Sequence, residues 1–314
     1  MHSTNLNYSA GDQVVNFAIA NLSTSSGERA ALAIDNNYFR LDLVSSEWNT
    51  SVRAILDDWQ RIYPTLVAAA RRCALEGSKS RAFVSGADAR LLTPVKFPNK
   101  LICVGAVYRD HLLEFNLPPE RWKNMPMFLR APTTSIVGPG RTLVIPATTK
   151  EFDWEIELAV VISQRLKDAD LHTAQSGIAG YSVGLDMTCR DLLDRDSRTG
   201  VDLVRAKAQD GMAPVGPFMR PAEFVRDPQN LRLQLFVNDE IKQNGTTSEM
   251  LYSIPEQLST ISHYITLEPG DIVFTGSPAG SGASIGQFLH PGARIRAEIE
   301  QVGTLHVEVV APPS

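Results

Sequence analysis

Glu151-Phe152-Asp153-Trp154-Glu155-Ile156-Glu157-Leu158-Ala159-Val160-Val161-Ile162 is the stretch on which the fold turns. Its second half is an unbroken, largely β-branched apolar run, which predicts a buried strand. Its first half carries carboxylates at every second position. Side chains alternate across a strand, so Asp153, Glu155 and Glu157 are expected to project from one face. Acids bunched where a buried strand emerges repel one another and resist ionisation. A bound cation relieves both problems. A solvated acidic face on an edge strand, where charge blocks aggregation, fits the same spacing.

The composition bounds the choice. The chain has 314 residues, enough for one large domain or for a main domain plus a smaller one. The net charge of −5 is mild and no Lys/Arg run stands out, so nucleic acid is not an expected partner. Cys73, Cys103 and Cys189 are scattered, without a Cys-x-x-Cys, which argues against a disulfide framework or a thiolate zinc site. Met1 to Asn7 is polar and lacks the basic-then-apolar pattern of a signal peptide. No apolar run approaches the roughly 18 residues that span a bilayer. A cytoplasmic protein without a membrane partner is the expectation.

Upstream of the acidic stretch, residues 1–12 read as a loose tail. Val14 to Ile19, Ala30 to Ile34 and Tyr38 to Leu43 read as short strands, the last two joined by the turn Asp35-Asn36-Asn37. Ser51 to Glu76 has helical periodicity: Val52, Ile55, Leu56 and Trp59 share a face, then Leu66, Val67, Ala70 and Cys73. Pro64 is expected to divide it into two helices. Ser78 to Phe97 reads as a linker with one strand near Leu91-Leu92. Residues 1–95 carry no chemical cluster and are expected to form a small accessory domain ahead of a main domain over 96–314.

The pattern changes at Leu101-Ile102-Cys103-Val104-Gly105, a strand ending in glycine. If the following residues are helical, His111 and Glu114 share a face, as a base and its orienter would. A weak surface pair fits the same spacing. Phe115 to Pro126 is irregular and reads as a mobile loop with one helical turn, placed to cover a site. Met127 to Arg130 is a short strand, and Gly138-Pro139-Gly140 a turn.

Downstream, Asp168 to Gly177 reads as a short helix. Ile178 to Asp191 is a strand running into polar residues, with Asp186 at its end as a possible ligand or cap. Residues 194–206 are charged loop and helix, and Lys207, taken alone, is an ordinary surface lysine. Leu231 to Val237 alternates, and Asn238-Asp239 turns it into a hairpin with Glu240 to Gln243. Ser253-Ile254-Pro255-Glu256 is a capping box opening a helix to about Ile265. Ile272 to Thr275 is a strand entering Gly276-Ser277-Pro278-Ala279-Gly280-Ser281-Gly282, whose N–H groups can converge on an anion. Ala293 to Ile299 and Leu305 to Val310 close the chain as a hairpin.

Several of these pieces, in this order, resemble the fumarylacetoacetate hydrolase superfamily over about residues 101–310. The most specific are Tyr108-Arg109-Asp110-His111, the run Asp153 to Ile162, Gly180-Tyr181 through Leu185-Asp186 to Arg190-Asp191, Val237-Asn238-Asp239-Glu240 with Gln243, and Pro269-Gly270-Asp271 through Thr275-Gly276. The resemblance implies an α+β fold: a mixed β-roll or β-sandwich core with short helices, plus a small N-terminal α/β domain. It implies Mg²⁺ or Mn²⁺ on Glu155, Glu157 and Asp186, with Asp153 a neighbour. Three hard oxygen ligands without His or Cys agree with that choice of ion. It implies a catalytic dyad of His111 and Glu114, a catalytic Lys207, and substrate contacts from Tyr108, Arg109, Arg130, Arg190, Gln243, Thr275, Gly276 and Ser277. It also implies a homodimer. Val107, Arg130, Ala208-Gln209 and Ser277 depart from residues frequent in relatives, and they leave the ligand set and dyad intact.

The activity expected from that resemblance is hydrolysis of a C–C bond in a 2,4-dioxo acid of the acylpyruvate or fumarylpyruvate type. The small keto-acid substrate would chelate the metal, and His111 would activate water. Decarboxylation of a β-keto diacid and isomerisation of a 2-hydroxydienoate would use the same enolate. A non-catalytic metal-binding protein would lack a ligand or the dyad, and neither is missing.

Overall fold

The computed structural model describes residues 15–48, 51–193 and 200–312. Ile156–Ile162 is a strand buried at every position, inside a 12-stranded sheet. Its neighbours, Ile178–Leu185 and Ile272–Phe274, are antiparallel to it and equally buried. A strand covered on both faces needs apolar residues at odd and even positions alike, hence the continuous run. Beyond Ile178–Leu185 the sheet continues through Ala213–Pro221, Ala18–Thr24, Gly27–Ile34, Asn37–Arg40 and Phe83–Val84. Beyond Ile272–Phe274 it continues through Leu101–Val104, paired in parallel, to Met127–Arg130. A second sheet of five strands is built on the hairpins Arg232–Val237 with Glu240–Thr246 and Arg294–Ile299 with Gly303–Val310. The mixed β core with short helices is therefore present.

Alternation along the central strand divides the core. Ile156, Leu158, Val160 and Ile162 pack with Leu233, Leu235, Ile295 and Val307 of the five-stranded sheet. Ala159 and Val161 point the other way, into a cluster with Leu66 and Ala70 of the helix Trp59–Glu76. Glu157 has the parity of Ala159 and Val161 and shares their face. The leading strands join the same sheet, with Ile19 opposite Met219. Among the described residues no helix is long and apolar enough to cross a membrane.

Local chemistry accounts for several elements. Asp35 and Asn36 take φ of 46° and 63°, the two left-handed residues of a tight hairpin turn. Ser253 and Glu256 form the reciprocal capping box that starts the helix Ile254–Tyr264.

Other expectations are corrected. The helical break falls at Asp58, and Pro64 lies inside Trp59–Glu76. Trp59, Ile62, Tyr63, Leu66 and Val67 are buried on both sides of the proline, and their packing outweighs one missing N–H. The strand expected over Tyr38 to Leu43 ends at Arg40 and gives way to a helical turn, Leu41–Val44. There Asp42 takes a salt bridge from Arg40 at 2.6 Å and another from Arg29 at 3.3 Å, turning the chain back. The first strand spans Ala18–Thr24, later than expected. Val14, residues 1–12 and the 194–199 part of the charged segment lie outside the described residues. Residues 115–126 contain no helical turn; Pro118 and Pro119 lack the N–H groups to close one. The strands Phe83–Val84, Ile136–Val137 and Thr142–Val144 are too short to leave a periodic signal.

Gly184 sits two residues before Asp186, and a Cβ there would lie 2.6 Å from the ring of Phe274. Phe274 is fully buried in the neighbouring packing and has no room to retreat. Gly184→Ala is therefore expected to cost about 1–3 kcal/mol in urea unfolding. Unchanged stability would mean that this part of the sheet is loosely packed.

Candidate metal centre

Of the three carboxylates in the acidic stretch, only Glu157 lies in the central strand; Glu155 immediately precedes it. Phe152–Asp153 belongs to a separate two-stranded ladder with Thr188–Cys189, and the central strand starts only at Ile156. Asp153, Glu155 and Glu157 therefore do not share one continuous strand face. Glu155 and Glu157 are instead joined by Asp186, which follows Ile178–Leu185. The Asp186 N–H donates to the Glu155 carbonyl at 2.9 Å, holding the two strand ends side by side. One carboxylate oxygen from each of Glu155, Glu157 and Asp186 lies within 4.8 Å of the others, and all three residues are buried.

Buried like charges at this range need compensation. Lys207 is itself buried, at the end of the short helix Leu203–Lys207, and donates from Nζ to Glu155 at 2.6 Å and to Asp186 at 2.5 Å. Arg130 pairs with Asp186 and donates to the carbonyls of Met212 and Met187. Arg190 donates to Glu155 at 2.5 Å and to Asp153 at 2.7 Å. Burial works to raise the Glu155 pKa, but Arg190 and Lys207 outweigh it and hold this carboxyl well below the usual range. Among the described residues, Glu157 has no such cation in hydrogen-bond contact. Burial, then repulsion by Glu155, pushes it up to about 8, although it accepts the Gly276 N–H at 2.6 Å.

His111 and Glu114 both lie on the short helix Arg109–Glu114. His111 Nδ1 is 2.5 Å from Glu114, and its Nε2 is 3.9 Å from Glu155. Burial tends to raise the Glu114 pKa, but the His111 contact and the Gly280 N–H outweigh it and keep the carboxyl below its ordinary value. The ring of Phe115 meets His111 edge-on at 5.3 Å.

The glycine-rich loop does collect N–H groups around anions, and the anions are the protein's own carboxylates. Gly276 serves Glu157, Gly280 serves Glu114 at 2.8 Å, and Gly282 and Ala283 serve Asp153 at 2.7 and 3.0 Å. Ser281 Oγ adds a bond to Glu114 at 3.0 Å. Gln243 accepts from Ile156 N at 2.9 Å and donates to Ser277 and to the Pro278 carbonyl, tying the loop to the central strand. Thr275 turns its hydroxyl to the Leu158 carbonyl. Tyr108 is buried beside Glu157, with no partner for its hydroxyl among the described residues. Arg109 is largely exposed; it donates to the Pro119 carbonyl and approaches Glu249. Motif matching missed Asp153, Gly280, Ser281, Gly282 and Ala283 as a frame, although the glycine spacing carried the signal.

The donor set suits a hard divalent cation. Three carboxylate oxygens converge without His or Cys, and the buried Tyr108 hydroxyl and Arg130 Nε near them have no partner among the described residues. Glu155, Glu157 and Asp186 are the residues that would hold it.

The family profile for the fumarylacetoacetate (FAA) hydrolase C-terminal domain matches residues 100–310. The human oxaloacetate tautomerase FAHD2B, mitochondrial, is 35% identical over 225 residues, which cover 71% of this chain and 70% of that protein. The structure of maleylpyruvate hydrolase from Sphingobium sp. SYK-6, with manganese(II) and pyruvate, aligns at TM-score 0.76 and 29% identity over 94% of this chain and 100% of that chain. The structure of fumarylpyruvate hydrolase from Pseudomonas aeruginosa, with Mn²⁺ and pyruvate, aligns at TM-score 0.62 and 34% identity over 71% of this chain and 92% of that chain.

The electrostatics make two opposite predictions for metal-free protein. Asp153→Ala removes one of the two carboxylates on Arg190 and leaves two loop N–H groups unpaired, so urea unfolding should show a loss of about 2–3 kcal/mol. Glu157 holds its proton more tightly folded than unfolded. Stability should therefore fall as pH rises from about 4.5 through about 8, by at most about 1.4 kcal/mol per pH unit from this group. Glu157→Gln should lack that slope and be the more stable protein above pH 8. Parallel pH profiles for wild type and variant would contradict the assignment.

Proposed function

The chain belongs to the fumarylacetoacetate hydrolase family, and on that premise we propose that it is a divalent-metal-dependent hydrolase cleaving the C3–C4 bond of an acylpyruvate-type 2,4-dioxo acid. The observation that carries this reading is the pairing of His111 Nδ1 with Glu114 while Nε2 faces Glu155. A base thus stands beside the carboxylates that would hold Mn²⁺ or Mg²⁺. The ion's contribution is Lewis-acid neutralisation of charge on the α-keto acid end as the enolate develops.

The chain's own residues supply the rest. Glu114, fixed by Gly280 and Ser281, orients the imidazole through Nδ1, leaving Nε2 to take a proton from water. That water attacks the C4 carbonyl. The C3–C4 bond breaks, its electron pair passes to C3 as pyruvate enolate, and the acyl fragment leaves as a carboxylic acid. Returning the proton from His111 to C3 completes pyruvate. Lys207 and Arg130, both buried cations, are the donors for substrate oxygens. Phe115, against His111, helps exclude bulk water from the base.

A second reading is favoured by the tautomerase relative at 35% identity. There His111 would move a proton between carbon and oxygen of oxaloacetate, with no attacking water. Decarboxylation of a β-keto diacid and isomerisation of a 2-hydroxydienoate are further outcomes on the same enolate.

Purified protein with Mn²⁺ should be assayed on maleylpyruvate, fumarylpyruvate, oxaloacetate and a 2-hydroxydienoate, with products identified. Release of pyruvate and the matching diacid is expected, abolished by chelator. His111→Ala should lower kcat by about 10²–10⁴ while Mn²⁺ affinity is kept. Glu155→Ala, Glu157→Ala and Asp186→Ala should each weaken Mn²⁺ binding in calorimetry, and Asp153→Asn much less. Tautomerisation of oxaloacetate without cleavage of any dioxo acid would favour the second reading. Hydrolysis left intact in His111→Ala would remove the dyad from the mechanism.

A further inference from the structure

One cavity of the molecule involves none of the metal-centre residues. It has a volume of about 690 Å³ and lies between the hairpin of Gly27–Ile34 with Asn37–Arg40 and the end of Ala213–Pro221. Its lining includes Tyr38, Phe218 and Phe224, the two arginines Arg220 and Arg226, and Asp35 at the hairpin turn. That volume is in the range of small-molecule sites.

Arg220 is the feature that points to a ligand. Arg130 and Arg190, the buried guanidinium groups of the metal centre, are matched by carboxylates. Arg220 has no carboxylate partner and donates no side-chain hydrogen bond among the described residues, and its Nε is sealed from solvent. Its guanidinium lies over the Phe218 ring, 5.2 Å from the centroid. Burial pushes it below its ordinary pKa with no opposing charge. A half-buried charge with no counter-ion is held at a cost, and a fork of free N–H donors fits an oxyanion. The aromatic walls add a face for a flat ring.

We propose that this cavity is a second binding site, taking a small molecule that carries an oxyanion on a flat ring. The oxyanion sits on Arg220 and Arg226, and the ring lies among Tyr38, Phe218 and Phe224. Nothing in this depends on the reaction at the metal centre.

The test uses the full chain with Mn²⁺ and saturating pyruvate, so that the metal centre is occupied. Benzoate is the probe, inorganic phosphate the oxyanion without a ring, and sodium chloride the ionic-strength control. Benzoate is expected to bind at one site by calorimetry and to raise the melting temperature beyond matched chloride, with phosphate weaker. Arg220→Gln should weaken benzoate about ten- to hundredfold. Without benzoate the same variant should melt higher than wild type, because a half-buried charge without a counter-ion is gone. A merely structural arginine would give the opposite sign. Arg226→Gln, at an exposed position, reads the same loss of benzoate affinity should Arg220→Gln not fold. Benzoate binding equal in wild type and variants, no effect beyond chloride, phosphate tighter than benzoate, or a lower melting temperature for ligand-free Arg220→Gln would each overturn the proposal.

Discussion

Four carboxylates buried within one small volume are the constraint on which this structure is built. Asp153, Glu155, Glu157 and Asp186 are all nearly inaccessible, and isolated charges in such surroundings are prohibitively costly. The chain answers with Arg130, Arg190 and Lys207, brought from a strand end, a short turn and a short helix distant in sequence. Glu157 remains the imperfectly matched member, and its raised pKa is the residue of that mismatch. A site tuned for stability alone would not keep it ionisable. A site that takes a divalent cation needs this surplus of negative charge.

The loop from Gly276 to Ala283 couples this electrostatic cluster to the His111–Glu114 pair. Its N–H groups reach Glu157, Glu114 and Asp153 in turn, so one backbone segment positions a metal-ligand candidate, the carboxylate paired with His111 and the partner of Arg190. Backbone donors fix direction as well as charge, and they carry no side-chain entropy. Glycine at 276 and 280, with φ of 89° and 103°, permits the turns that aim them. Gln243 fastens the same loop to the central strand, which explains why a side chain expected to meet substrate is fully engaged with protein.

Much of this was legible in the sequence, and the exceptions have physical causes. The apolar run 156–162 announced a doubly covered strand, and Ser253 with Glu256 announced a helix start, because each depends on residues close in the chain. Helical spacing put His111 and Glu114 on one face, and the family resemblance, not the spacing, favoured a dyad over a surface pair. Lys207, taken without the family resemblance, read as a surface residue, since its burial depends on Glu155 and Asp186 from other elements. Asp153 read as part of one acidic face because alternation assumes an unbroken strand, and the ladder changes partner at Trp154-Glu155. Pro64 read as a helix end because local propensity says nothing of the buried residues flanking it. The unpaired Arg220 was invisible, as a missing partner is a property of three-dimensional surroundings only.

The most direct measurement of the central idea is electron spin-echo spectroscopy of Mn²⁺ added to the full chain. One ion per chain with an all-oxygen protein ligand set, and no coupling from a directly coordinated nitrogen, is the result expected of Glu155, Glu157 and Asp186. A ¹⁴N coupling diagnostic of bound His111, or an unaltered spectrum in Glu155→Gln with Asp186→Asn, would contradict it.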